Sequence, residues 1–335
     1  TAAMCCDGNV VCLTDLKFII TSGSFISILA AGLFLIAVIL LQMDPQTDTR
    51  LLPVTSRILG LPVFFFSFII LGLTFLYSGI IINRPKSSGI DSLINVTAMP
   101  DGVFYFSKLL AIIIMQAILL GFIMITGIGI QIYVGFFNFE IKLYLVELFI
   151  INFSELIIWA VASLFVQTLT NNTLTGFFIL ILLVFGIGNL NLVGIETHVL
   201  MFNKNPDPDM IFKYSDLNGY GHTLTPFFIY KIYWSLFALL LCTLTLLAWQ
   251  RKFILSAGER IKSWKIRFAG LTAISITGLI IIFSISGIIL YNEENKPLNI
   301  KLTTDESNNQ LAQFREKFGK YRNTLQPRIS SVDIK

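Results

Sequence analysis

The chain is short of charge. Only 13% of its 335 residues are Asp, Glu, Lys or Arg, about half the share of a soluble globular domain, near 25%. Histidine is scarcer still, with His198 and His222 alone, which excludes a multi-histidine metal centre. No H-E-x-x-H run is present, so a zincin site is excluded. No G-x-x-x-x-G-K-[ST] loop is present, so the chain does not bind ATP in the P-loop manner, and no G-x-S-x-G elbow offers a serine nucleophile. Long alternating strand patterns are missing as well, which argues against a membrane β-barrel. Cys5, Cys6 and Cys12 near the start, and Cys242 in an apolar run, match no finger spacing and read as unpaired thiols. From these absences the expectation is no catalytic residue, no metal site, no cofactor and no nucleic-acid partner within the chain.

What fills the sequence instead is apolar. It is 55% hydrophobic with a mean hydropathy of +0.78. A helix needs about 20 mostly apolar residues to span a bilayer. Seven segments qualify: 18–41, 58–82, 109–139, 143–169, 174–193, 232–250 and 268–291. The expected fold is therefore all-α, a polytopic membrane helical bundle of about seven transmembrane helices. Its parts are a lead-in at 1–17, six spans over 18–250, a basic loop at 251–267, an exit helix at 268–291 and a charged tail at 292–335.

Orientation follows from lysine and arginine in short loops. Arg251, Lys252, Arg260, Lys262, Lys265 and Arg267 crowd the loop 251–267, which is expected in the cytoplasm. Trp264 and these cations also suit an anionic inner leaflet. Counting spans backward puts the start and 84–108 inside, and 194–231 with the tail outside.

Local signals refine the picture. The third apolar run is longer than one crossing needs, and Gly121, Gly127, Gly129 and Gly135 either kink it or admit a neighbouring helix. Residues 171–173 make a tight inner turn. Tyr230, Tyr233 and Trp234 resemble an interfacial aromatic belt opening the sixth span. In the tail, Leu311, Phe314, Phe318 and Tyr321 recur at helical spacing. After Pro327 the sequence alternates like a strand that has no partner, and Thr1 is not an initiator, so a soluble outer domain is expected to follow in a longer protein.

Three groups of residues are candidates for function. In 83–110, Ser88 can cap a short helix after Gly89 in which Ile90, Leu93 and Ile94 share a face and Asp91 turns away, while Asp101 caps the next helix. Such a helix either docks a soluble partner or lies in the lipid interface. In the fourth span, a carboxylate in hydrocarbon costs about 2.5–3.5 kcal/mol. Glu147 and Glu155, with Asn152 between them, must then face the bundle or water. They either line a substrate path or close an interhelical contact, and the contact is the expectation. In the outer loop, Tyr214, Asp216, Asn218, Gly219, Tyr220, Gly221 and His222 either bind a polar ligand or form an ordered cap. His222 lacks a second catalytic group, which favours the cap.

The run GIDSLINVTAMPDGVFYFSKLLA at 89–111 resembles the segment after the second span of ABC-2-type exporter permeases. The run YSDLNGYGHTLTPFFIYKIYW at 214–234 is similar to a narrower bacterial group, in which such a permease is fused to a periplasmic zinc aminopeptidase of the gluzincin type. KYRNTLQPRISSVDIK at 320–335 resembles the linker and first strand entering that peptidase. The resemblance implies a six-span permease half with an added exit span in a bacterial inner membrane. It implies a cytoplasmic ABC ATPase subunit docking on the helix at 88–95, and a second permease half or a homodimer. The peptidase's own residues lie beyond this chain. The expected function is the membrane part of an ABC-type exporter, or alternatively a non-transporting anchor for an outer peptidase.

Overall fold

The structure is a computed structural model that describes residues 2–42, 54–87, 89, 100–170, 172–195, 197–204, 214, 217–249, 268, 270–294 and 304–321. The described chain is a polytopic helical bundle, with no strand among those residues. In order, α1 is Ala2–Thr21, α2 Gly23–Gln42, α3 Thr55–Leu59, α4 Leu61–Ser87, α5 Asp101–Val134 and α6 Ile141–Thr170. Then come α7 Thr173–Gly188, α8 Leu224–Ala248, α9 Leu271–Glu294 and α10 Thr304–Phe318. The helices α4, α5, α6, α8 and α9 are long and apolar enough to cross a membrane. Each of the seven expected apolar segments is helical over most of its described residues, but the first and fifth depart from a simple span.

The first breaks at Ser22, where α1 and α2 meet at 60°. Ser22 leaves the helical ladder and its hydroxyl accepts from the Phe25 N–H at 3.2 Å, so it caps α2. The same hydroxyl bonds to the Tyr77 hydroxyl of α4, which holds the corner against the bundle. The fifth, α7, has only 16 residues, starting where the Asn172 side chain accepts from Leu174 N–H at 3.0 Å.

The third segment is one unbroken helix of 34 residues, shifted toward its start relative to 109–139. Its capping position is Pro100 in extended backbone, and Asp101 stands in the first turn, favourable there to the helix dipole rather than as the cap. It ends at Gly135, whose φ of 83° lets Phe136 N–H reach back to Gln131 O at 2.8 Å. Gly127 does not kink it. A Cβ there would stand 2.7 Å from the Tyr144 hydroxyl, so this glycine admits α6.

The sixth segment begins at Leu224, two turns before the expected 232. Pro226 fits the first turn because amide groups there have no intrahelical partner. Tyr230, Tyr233 and Trp234 consequently lie in the core rather than forming an interfacial belt. Tyr233 stacks on Phe283 of α9 at 4.6 Å, and Trp234 meets the Phe202 ring edge-on at 5.3 Å.

The core lies where α4, α5, α6 and α8 converge, around Phe66, Tyr77, Met115, Leu148, Leu164 and Trp234. Large apolar side chains such as Phe34, Ile125, Phe178 and Ile285 face outward, as hydrocarbon solvent permits. On α10, Leu311, Phe314 and Phe318 are also exposed. The basic loop 251–267 and the strand-like 328–335 lie outside the described residues.

Candidate functional site

The site is built from a pinch and a splay. Gln167 of α6 is fully buried and donates its amide to Phe75 O of α4 at 3.1 Å and Thr173 O of α7 at 3.3 Å. Only glycine leaves room for it on both sides. A Cβ at Gly79 would stand 2.7 Å from the Gln167 amide, and one at Gly176 would overlap it. Asn83 Nδ2 also donates to Thr173 Oγ1 at 3.1 Å. These contacts lock α4, α6 and α7 together at one end. Toward the other end the three helices part around a cavity of 750 Å³.

The cavity is graded. Near the pinch its walls are Leu71, Phe75, Leu156, Trp159, Ile181 and Val184. Near the far end they are Glu147, Asn152, Glu155, Asn189, Asn203 and Lys204. Phe64, Phe68 and Phe185 line it and are also about half or more exposed, at 48%, 53% and 66%. The gap between α4 and α7 therefore opens sideways.

Local backbone geometry brings both carboxylates to this wall. On a regular α-helix eight residues leave two side chains about 80° apart. Over Leu145–Asn152 the helix widens into π-type hydrogen bonding, with Phe153 N–H donating to Leu148 O and Asn152 Nδ2 to Glu147 O at 2.9 Å. The wider turn closes the offset. Such turns recur at functional sites.

Glu155 Oε1 pairs with Lys231 Nζ of α8 at 3.0 Å. The lysine is 4% exposed and also donates to Asn203 Oδ1 at 2.8 Å and Asn203 O at 3.2 Å. Asn203 takes a left-handed φ of 58° and donates its amide to Glu155 O at 3.1 Å, tying the segment between α7 and α8 to both α6 and α8. The expected interhelical contact at Glu155 is thus present, and the same residue also lines the cavity.

Glu147 accepts from the Tyr220 hydroxyl at 2.9 Å through Oε2. Among the described residues no hydrogen bond reaches its other oxygen, and Glu147 lines the cavity. Burial, followed by the charge of Glu147, pushes the Tyr220 phenol well above its usual range, so it stays a donor. Tyr214 packs on Tyr220 at 5.5 Å. Gly219 and Gly221, with φ of 58° and 54°, fold the loop so that Gly221 N–H reaches Asn218 O at 2.9 Å. Tyr220 is in this way lowered onto Glu147 as part of a cap. The backbone at His222 lies in the short turn Gly221–Thr223. Asp216 lies outside the described residues.

Ser88, Ile90, Asp91, Leu93 and Ile94 lie outside the described residues too. Gly89 between them has a φ of 68°. The flanks of that segment are described. Arg84 and Lys108 both reach Asp15 of α1, at 3.5 and 3.1 Å, and Lys108 also donates to Ile81 O at 2.7 Å. This charge cluster, in which Lys108 is buried and Arg84 partly exposed, was not foreseen from the sequence. Neither was the group in which Glu294 of α9 holds His198 Nδ1 at 2.7 Å and the Tyr230 hydroxyl at 3.3 Å. Among the described residues no three His, Cys, Asp or Glu side chains gather as metal ligands would. Comparison with protein-family models, with curated proteins and with solved structures finds no match.

Proposed function

We propose that the chain is the membrane-spanning permease part of an ABC-type exporter in a bacterial inner membrane. In this reading a separate cytoplasmic ATPase subunit docks on residues 88–95, and ATP hydrolysis drives translocation or mechanical signalling. The start is cytoplasmic, the tail periplasmic, and the working unit contains a second permease half or a second copy. The observation that carries the reading is the cavity that widens between α4, α6 and α7 from a pinned end. Such a wedge can be opened or shut by rocking its arms about the pinch.

A second feature supports coupling. The docking segment leaves α4 just after Arg84 and enters α5 just before Lys108, and both cations grip Asp15. A displacement of the segment would reach α1, α4 and α5 together, through charged contacts rather than flexible loops.

The test is purification in native lipid with the ATPase subunit co-expressed, comparing the wild type with the Ile90→Asp, Leu93→Asp double variant. The expected outcome is loss of the bound ATPase with an unchanged melting profile. A double variant that retains ATPase and ATP-driven export would sink the reading. The anchor reading draws on one observation of its own. α9 is the least buried span, yet Glu294 clamps its outer end to His198 and Tyr230. That clamp would hold whatever follows α9 in a fixed position.

A further inference from the structure

The charges around the cavity do not cancel evenly. Glu155 is neutralised by Lys231. That leaves Glu147, one oxygen of which has no partner among the described residues, and Lys204, which lines the same end of the cavity. Among the described residues the Lys204 side chain has no partner, and only its backbone N–H is bonded, to Met201 O. A bare organic cation would satisfy Glu147 and leave Lys204 opposed. An anion would do the reverse. At the polar end of a cavity whose remaining walls are apolar, an unmatched charge is still costly. The complement is a headgroup carrying both signs.

The rest of the cavity selects the remainder of the ligand. From Glu147 to Trp159 is twelve residues, or about 18 Å of helix. Over that depth the walls change from polar to wholly apolar, ending at Phe75 and Trp159, whose rings meet edge-on at 5.7 Å. The side opening is framed by Phe64, Phe68 and Phe185, which face outward as lipid-contacting residues do. A water-soluble ligand has no use for such an entrance.

We propose that this cavity binds a phospholipid whose headgroup bears a primary amine. The lipid enters between α4 and α7, its ammonium meets Glu147, its phosphate meets Lys204, and its acyl chain lies along Leu71, Phe75 and Trp159. The proposal rests on the permease reading for its direction of use, since it names what would be moved. Binding itself needs no ATPase.

The experiment is native mass spectrometry of the chain released from a mild detergent, titrated with two lysolipids. Lysophosphatidylethanolamine and lysophosphatidylglycerol of the same acyl chain share a phosphate and differ in the amine. The wild type is expected to hold the amine lipid at least tenfold more tightly. Gly72→Leu is expected to abolish binding of both, because Gly72 lines the cavity and a Cβ there meets nothing within 4 Å, so the side chain fills space without a clash at its base. Glu147→Gln is expected to erase the preference and keep the apolar part of the affinity. Equal or stronger binding of the glycerol lipid to the wild type overturns the proposal. So does undiminished binding in a folded Gly72→Leu, or a tenfold preference that survives Glu147→Gln. Should Glu147→Gln fail to fold, wild-type selectivity together with the Gly72→Leu result decides. A chain that binds the amine lipid but recruits no ATPase sinks the exporter reading and leaves this one standing; the opposite result does the reverse.

Discussion

Lys231 and Lys108 are 4% and 2% exposed inside apolar helices, where an ammonium survives only with partners on every side. Glu155 and Asn203 supply them for one, Asp15 and Ile81 O for the other. The two ends of the Glu155–Lys231 pair are not equivalent. The Glu155 side chain is 33% exposed and the Lys231 side chain 5%. Removing the carboxylate strands a buried cation, whereas removing the cation leaves a carboxylate that water can reach. We expect Glu155→Ala to cost about 3 kcal/mol, the lower range for breaking a buried pair, and Lys231→Met to cost less. Glu155→Gln, whose carbonyl still accepts from Lys231, should keep the fold. Thermal unfolding in detergent checks the order, and a costlier Lys231→Met contradicts it. The sequence exposed the carboxylates because they interrupt an apolar run. It hid both lysines because each stands where such a run begins, at 109 and 232, and a cation there reads as a loop residue. Only the helix start at Leu224 shows that Lys231 is two turns inside.

At the scale of helices, three converge because two glycines let Gln167 in. Gly79 and Gly176 carry no turn and no positive φ, so nothing local marks them. Of the glycines that the sequence did mark in α5, Gly127 admits Tyr144 and Gly135 ends the helix, while Gly121 and Gly129 have open space beside them. A large residue at Gly79 must push α4 off α6. We expect Gly79→Leu to cost about 2–3 kcal/mol, in line with overpacked interiors. Gly129→Leu, on the same physical scale, should change stability by less than about 1 kcal/mol. Comparable melting shifts for the two would remove the pinch as a cause of the cavity. The bend at Ser22 and the π turn in α6 were illegible for a related reason. Hydropathy counts residues and does not register where a hydrogen-bond ladder skips one.

Across the whole molecule, the bundle was legible and the cavity was not. Runs of about 20 apolar residues announce crossing helices, and every expected run is helical over most of its described residues. A cavity is a statement about which helices touch and which do not, and that is fixed by contacts such as Gln167 with Phe75 O that are 92 residues apart in sequence. The loop that carries Tyr220 was half legible. Its polar, glycine-bearing composition marked 214–226 as a candidate, but Tyr220 as the residue that reaches Glu147 emerges only from the fold.

The length of α5 has a consequence for the membrane itself. Thirty-four residues make a rod of about 51 Å, and the stretch from Leu109 to Val134 alone is about 39 Å. A hydrocarbon layer of about 30 Å would hide that stretch only if the rod leaned by about 40°, at the upper limit seen for such helices. The lean therefore depends on how thick the bilayer is. Because α5 carries Lys108 at its foot, bound to Asp15, a change of lean would drag on that contact. The protein should consequently melt at a higher temperature in discs of eighteen-carbon lipids than in discs of fourteen-carbon lipids, and Lys108→Met should blunt that difference. A melting temperature indifferent to acyl length would mean that α5 stands free of bilayer thickness. Otherwise the acyl composition of the host membrane acts on this chain as a setting, adjusted without any ligand.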